Sequence, residues 1–240
     1  KGVVLQEGNS LVYLALKCGI PVLVLGLIGV ISGFFYTSPA VNFAGRGFGE
    51  MLVGANFGVL VTAGSYFVQA GAFSSEVIWA SLPLGILVSA ILFINEFPDY
   101  SADKQSGKKT IVVRLGRKKS STLFIFIMAL SYVVLTAGVI AGQLPAVLLL
   151  SLSSMPFAFT AAVYVKKFYE KPVDMATGNG FTILTFNAFA LVLIISYFLI
   201  SPGRIYILPA AILSALYVVW NYLSIKKGRN VMQKLKELYG

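Results

Sequence analysis

Seven long apolar segments follow one another along this chain of 240 residues. Each segment is long enough to cross a bilayer as a helix, which takes about 20 residues. Each is also apolar on all sides rather than along one stripe. The sequence therefore predicts an all-α protein, a polytopic transmembrane bundle of about seven helices. The predicted segments are roughly residues 11–36, 51–71, 77–97, 121–142, 145–165, 180–200 and 205–224.

Basic residues are unevenly distributed between the connections. The chain has 19 Lys and Arg against 9 Asp and Glu, and most of the basic residues fall in loops 37–50, 98–120 and 166–178 and at the C-terminus. The positive-inside rule places these segments in the cytoplasm and predicts a multi-pass protein of the cell membrane. Because topology explains the net charge of +10, no nucleic-acid partner is predicted.

The composition excludes several kinds of catalytic site. The chain contains no His, which rules out Ser-His-Asp triads, imidazole metal sites and catalysis by a His base. Cys18 is the one cysteine, so no disulfide forms within the chain.

Acidic and basic residues meet in the stretch NEFPDYSADKQSGKKTIVVRLG, at the end of the third apolar segment. If that helix continues, Asn95, Asp99 and Asp103 recur every four residues and share one face, although Pro98 removes a backbone donor. Carboxylate and amide oxygens suit Mg²⁺, and the Lys and Arg that follow suit phosphate. The stretch indicates a metal and diphosphate site beside an apolar bundle, unless it is an ordinary charged helix end with a topology-setting loop.

The same stretch resembles the second aspartate-rich motif of the UbiA superfamily of intramembrane prenyltransferases, especially the 1,4-dihydroxy-2-naphthoate branch. The matching positions are Asn95, Asp99, Asp103, Gly107 to Thr110 and Val113 to Gly116. A second stretch, YTSPAVNFAGRGFGEMLVGANFGVLVTAGSYFVQ, resembles that branch as well. Its matching positions are Tyr36, Thr37, Gly47, Gly49, Glu50, Phe57, Gly58, Gly64, Tyr66 and Gln69.

The resemblance implies an enzyme that uses Mg²⁺ to transfer an isoprenyl chain from a polyprenyl diphosphate to an aromatic acceptor through an allylic carbocation. The expected acceptor is 1,4-dihydroxy-2-naphthoate, in menaquinone biosynthesis. Other acceptors of the superfamily stay open, namely 4-hydroxybenzoate, chlorophyllide, haem and geranylgeranylglyceryl phosphate. A secondary transporter is the alternative outside the superfamily. It is disfavoured because the ionisable residues gather at one face and no repeat is visible.

By resemblance, Asn95, Asp99 and Asp103 are expected to hold Mg²⁺, with Asp99, Asp103 and Tyr36 as catalytic residues. The expected substrate contacts are Asn95, Lys108, Lys109, Arg46, Arg114, Glu50, Asn56, Ser65 and Gln69. Plainer roles remain open for several of them. Tyr36 can be an interfacial aromatic residue, Arg114 can cap its loop, and the polar residues within the spans can join helices.

Two departures from the family pattern stand out. The naphthoate branch often reads N-N-x-R-D where this chain has Glu96 and Pro98 between Asn95 and Asp99, which puts the acceptor in doubt more than the diphosphate chemistry. The first aspartate motif of the family, of the N-D-x-x-D-x-x-x-D kind, is absent from the sequence. We therefore expect residues 1–240 to be a single prenyltransferase domain without its N-terminal part, and 205–224 to be an additional C-terminal helix.

Overall fold

The computed structural model of the protein describes residues 13–14, 16–201, 212, 215–228 and 230. Helices account for most of these residues, and none of them lies in a β-strand. Residues 215–228 are also helical. The main helices, in chain order, are α1 (Ile20–Thr37), α2 (Gly49–Ala70), α3 (Ser75–Gln105), α4 (Ile111–Leu115), α5 (Arg117–Ile140), α6 (Met155–Phe168, directly preceded by the 3₁₀ segment Ala146–Ser154) and α7 (Pro172–Ile200).

Six described helices are long and apolar enough to cross a membrane, with α6 and its 3₁₀ segment counted as one. They cover the first six predicted segments, which confirms the all-α, polytopic fold. Helices α3 and α7 extend furthest into the basic loops beyond the predicted bounds, since α3 continues to Gln105 and α7 begins at Pro172. Of the seventh predicted segment, 205–224, residues 212 and 215–224 are described and are helical, and the others lie outside the described residues.

Helix α3 is the central element of the bundle. It packs against α2, α5 and α7, and its Leu87, Phe93 and Phe97 side chains are fully buried. Phe124 of α5 and Phe189 of α7 complete this part of the core. Helix α3 also continues unbroken through Pro98. The aspartates that follow the proline are therefore still on a helix, as the spacing of the motif requires.

Three glycines bring the backbones of α2 and α3 into direct contact. A Cβ atom on Gly58 would lie 2.5 Å from the Gly85 nitrogen, and one on Gly54 would lie 2.6 Å from the Gly85 carbonyl oxygen. Small residues allow membrane helices to approach in this way, because lipid provides no hydrophobic force that drives helices together. The Ser89 hydroxyl adds a hydrogen bond of 2.7 Å to the carbonyl oxygen of Glu50. The start of α2 is thus fixed beside the middle of α3.

This contact predicts unequal effects of alanine at two glycines of α2. Gly58→Ala should destabilise the protein by about 1–3 kcal/mol, because the added methyl group forces α2 away from α3. Gly64→Ala is the matched control, since its methyl group would meet only Leu25 Cδ1 at 3.5 Å, an ordinary contact. Gly64→Ala should be neutral or stabilising by up to about 1 kcal/mol. Thermal unfolding in detergent measures both variants, and equal stabilities would contradict the close contact.

Candidate functional site

The three predicted metal ligands lie on the last turns of α3. Asn95 and Asp99 are exposed, whereas Asp103 is buried, with 7% of its surface exposed. Successive positions four apart on a continuous helix share one face. Because α3 is unbroken, Asn95, Asp99 and Asp103 therefore start from one side of the helix.

Lys108 closes back onto this face. Its Nζ atom lies 2.7 Å from Asp103 Oδ1 in an ion pair. The hydrogen bond to Asp103 raises the pKa of Lys108; burial opposes this shift, and the charges of Asp103, Asp99 and Glu96 add to it. Lys108 is therefore protonated at neutral pH. Its side chain is about half exposed and can reach a ligand in solvent.

The loop that carries Lys108 and Lys109 is tied to the loop between α1 and α2. The Lys109 N–H donates to the Gly45 carbonyl oxygen at 2.7 Å. Arg114 donates from Nε to the Lys109 carbonyl oxygen at 2.8 Å, and from Nη2 to the Arg46 carbonyl oxygen at 2.6 Å. Arg114 thus braces two loops through backbone atoms. Arg46 itself donates from Nη2 to the Ala40 carbonyl oxygen at 3.2 Å, within its own loop.

Two glutamates face each other beneath these loops. Glu50 is only 4% exposed, and apart from Glu96 no group in the described part of the chain is placed to hydrogen-bond with its carboxyl oxygens. Glu96 lies within hydrogen-bonding reach of Glu50. It also accepts a hydrogen bond from the Val112 N–H at 3.2 Å. Glu96 therefore joins α3 to the start of α4, a contact that its position in the motif did not reveal.

Tyr36 and Asn56 line a cavity of about 410 Å³ between α1 and α2. Asn56 lies at a π-helical segment of α2, Ala55–Leu60, and donates from Nδ2 to the Leu52 carbonyl oxygen at 2.8 Å. Ser32, which the sequence analysis missed, donates to Asn56 Oδ1 at 3.0 Å. Segments of π-helix are frequent at functional sites. This cavity is at the same end of α2 as Glu50.

Ser65 and Gln69 are not brought to the aspartates. They line a second cavity, of about 550 Å³, formed by the second half of α2 and the first half of α1. Gln69 lies 19 residues after Glu50, which corresponds to about 28 Å along a helix. Gln69 also donates to the Ser65 carbonyl oxygen at 3.0 Å. Their predicted substrate contacts would therefore be made near the opposite end of the bundle.

Asn179, near the start of α7, is a polar residue at the site that the sequence analysis did not identify. Its Nδ2 atom donates a hydrogen bond to Asn95 Oδ1. The signal available in the sequence was an amide among small residues just before the sixth apolar segment. Nothing in the sequence, however, fixes which face of α7 turns toward α3.

The side-chain oxygens of Asn95, Asp99 and Asp103 provide only part of the ligand set of a hard divalent cation. Carboxylate and amide oxygens are suitable ligands for Mg²⁺, which usually keeps several waters and takes its other ligands from substrate phosphates. No group of three or more acidic, Cys or His side chains among the described residues is arranged to enclose a metal ion. Asn95, Asp99 and Asp103 therefore offer ligands from one side, and Lys108 and Lys109 extend that side with positive charge.

Comparison with known proteins finds a family model and relatives that are all prenyltransferases. The sequence model of the UbiA prenyltransferase family matches residues 8–177. The chain is 32% identical over 155 residues to the 2-carboxy-1,4-naphthoquinone phytyltransferase of Synechocystis sp., covering 64% of this chain and 50% of that relative. It is also 32% identical over 180 residues to the 1,4-dihydroxy-2-naphthoate octaprenyltransferase of Bacillus subtilis, covering 72% of this chain and 57% of that one.

A third relative, the 1,4-dihydroxy-2-naphthoate octaprenyltransferase of Haemophilus influenzae, is 28% identical over 141 residues, or 59% of this chain and 46% of the relative. The chain spans about half the length of these curated relatives. No solved structure matches it. The family match extends over more than half of the chain and includes both stretches that carry the resemblance. The chain therefore belongs to the UbiA prenyltransferase family.

Proposed function

We propose that the protein transfers an isoprenyl chain from a polyprenyl diphosphate to an aromatic acceptor in an Mg²⁺-dependent reaction, and that the acceptor is 1,4-dihydroxy-2-naphthoate. The observation that carries the proposal is the face of Asn95, Asp99 and Asp103 next to Lys108, at the polar end of an apolar bundle. Family membership and the names of the two octaprenyltransferase relatives support the acceptor. All of residues 1–240 are assigned to this one transmembrane domain.

Each group of the site has a proposed part in diphosphate binding. Asn95, Asp99 and Asp103 would hold Mg²⁺, which when bound supplies positive charge against the charge that develops on the leaving diphosphate. Lys108 and Lys109 would donate charge-assisted hydrogen bonds to phosphate oxygens. Arg114 would keep these lysines in place through its backbone contacts. The apolar helices would exclude water, which otherwise intercepts a carbocation.

The acceptor is proposed to bind in the cavity between α1 and α2. Its volume of about 410 Å³ is within the usual range for small-molecule sites, and its few polar groups come from Ser32, Tyr36 and Asn56. Tyr36 links this cavity to the glutamates, because its ring lies next to Gly49 and close to both carboxyl groups. A ring held there would lie beside the loop that carries the lysines. By the charge distribution of the loops, this end of the bundle is proposed to face the cytoplasm.

The function is tested by assaying the purified protein in lipid nanodiscs with labelled polyprenyl diphosphate, Mg²⁺ and a panel of aromatic acceptors. We expect prenyl transfer to 1,4-dihydroxy-2-naphthoate, loss of transfer in excess EDTA, and recovery when Mg²⁺ is restored. Preferred transfer to 4-hydroxybenzoate would overturn the acceptor and keep the reaction class. Undiminished turnover in chelator would overturn the metal.

The carboxylates of α3 should be essential for rate. Asp99→Ala and Asp103→Ala should each lower kcat by about 10²–10³, the usual effect of removing one group that stabilises transition-state charge. Glu96→Gln should lose much less, because glutamine keeps an oxygen that accepts the Val112 N–H. Glu170→Gln, in the exposed turn after α6, is the control. Near wild-type rates in both aspartate variants would show that the pair is only a charged helix end.

Lys108 should act mainly in diphosphate binding. Lys108→Gln should raise the KM for the polyprenyl diphosphate by about tenfold, since a hydrogen bond to a charged group is worth about 1.5–3 kcal/mol and 1.4 kcal/mol corresponds to a factor of ten. Lys104→Gln is the matched control, because Lys104 is exposed and lies over the Tyr100 ring, 5.9 Å from its centroid. An equal rise in KM for the two variants would indicate a general effect of charge rather than a contact.

A further inference from the structure

A hydrogen bond between two amide side chains connects α7 to the aspartate-bearing end of α3. Asn179 donates from Nδ2 to Oδ1 of Asn95, one helical turn before Asp99. Asn179 lies beyond residue 177, where the match to the family model ends. The Oδ1 atom of Asn179 is buried and accepts no hydrogen bond from the described residues. With Asn95 Oδ1 facing α7, a flipped Asn179 amide would place two carbonyl oxygens against each other, so Nδ2 is the Asn179 atom that faces Asn95.

Close packing holds Asn179 in place. Its neighbour Gly178 lets α7 approach two other helices, since a Cβ atom there would lie 3.3 Å from Tyr164 Cβ of α6 and 3.6 Å from Ile94 Cδ1 of α3. Thr182, one turn further along α7, is fully buried. The backbone at Asn179 is therefore fixed against α3 and α6, and its side chain projects from a rigid element. Sites built on packed helices are more accurately positioned than sites on loops.

Asn95 needs such a partner to present its oxygen in one direction. Its side chain is exposed, and an exposed amide rotates about two bonds. A carbonyl oxygen has two lone pairs, so Oδ1 can accept the Asn179 hydrogen bond and still offer the other lone pair to a cation. Groups that hydrogen-bond to metal ligands fix the orientation of those ligands, and their loss typically costs about 10–100-fold in metal affinity or activity.

We propose that Asn179 is a positioning residue, which orients the Asn95 amide toward the metal and diphosphate. The inference rests on the proposed function, because Asn95 is a ligand only if that site binds a metal with diphosphate. Asn179 itself need not touch the ligand. It acts through Asn95, and its effect must vanish when Asn95 is removed.

A double-mutant cycle tests this dependence. The affinity for Mn²⁺ with inorganic diphosphate is measured by electron paramagnetic resonance in nanodiscs for the wild type, Asn95→Ala, Asn179→Ala and the double variant. We expect about a tenfold loss in each single variant and no further loss in the double variant. Losses that multiply in the double variant would overturn the proposal, because Asn179 would then act independently of Asn95.

A control on the same helix separates positioning from packing. Asn187 of α7 also has a buried side-chain nitrogen without an acceptor in the described part of the chain. We expect Asn187→Ala to keep the Mn²⁺ affinity, and thermal unfolding to show that both Asn179→Ala and Asn187→Ala remain folded at the temperature of the binding measurement. An equal affinity loss in Asn187→Ala would show that the effect is structural and would overturn the proposal.

The Asp99→Ala variant distinguishes an error in this inference from an error in the proposed function. If Asp99→Ala abolishes Mn²⁺ binding and Asn179→Ala leaves it unchanged, the inference about Asn179 is wrong and the metal site stands. If Asp99→Ala binds Mn²⁺ with diphosphate as tightly as the wild type, or the wild type binds none, the metal site and the inference are both wrong.

Discussion

The direct contact between the backbones of α2 and α3 at Gly54, Gly58 and Gly85 determines where the polar groups of this protein can meet. With no side chain between them, the start of α2 and the middle of α3 lie side by side. Glu50 is thereby placed against Glu96, and the loop before α2 is near enough for Gly45 to accept the Lys109 N–H. A larger residue at any of the three glycines would separate the carboxyl pair and the two loops together, although none of those residues is itself polar.

The ion pair between Lys108 and Asp103 connects the two kinds of charge in the proposed site. Asp103 is nearly buried, so its carboxylate requires a positive neighbour, which Lys108 provides at 2.7 Å. In the proposed function, a divalent cation held by Asp103 would also neutralise that carboxylate and weaken its hold on Lys108. The lysine, which is half exposed, would then be free to turn toward the diphosphate that arrives with the cation. Binding of the metal and of the diphosphate are therefore expected to support each other. The cation frees the positive charge of Lys108, and the diphosphate supplies the negative charge that both of them attract.

The sequence was most informative where one helix decides the outcome. Six spans followed from apolar segments of sufficient length, and the common face of Asn95, Asp99 and Asp103 followed from their spacing, once α3 was found to continue through Pro98. Contacts between helices could not be predicted from the sequence, because they depend on how each helix is rotated about its axis. The bond from Asn179 to Asn95 and the bond from Ser32 to Asn56 are of this kind.

The two unusual residues of the motif can be understood from where their side chains lie. Pro98 leaves α3 helical, so Asp99 and Asp103 keep their common face. Glu96 accepts the Val112 N–H at 3.2 Å and meets Glu50. At the position where the chain departs from the family pattern, Glu96 therefore ties the start of α4 to α3 and borders Glu50, next to Tyr36 and the cavity between α1 and α2. It leaves the proposed metal ligands unaltered. A change of this kind is suited to altering the choice of acceptor while the chemistry at the diphosphate stays the same.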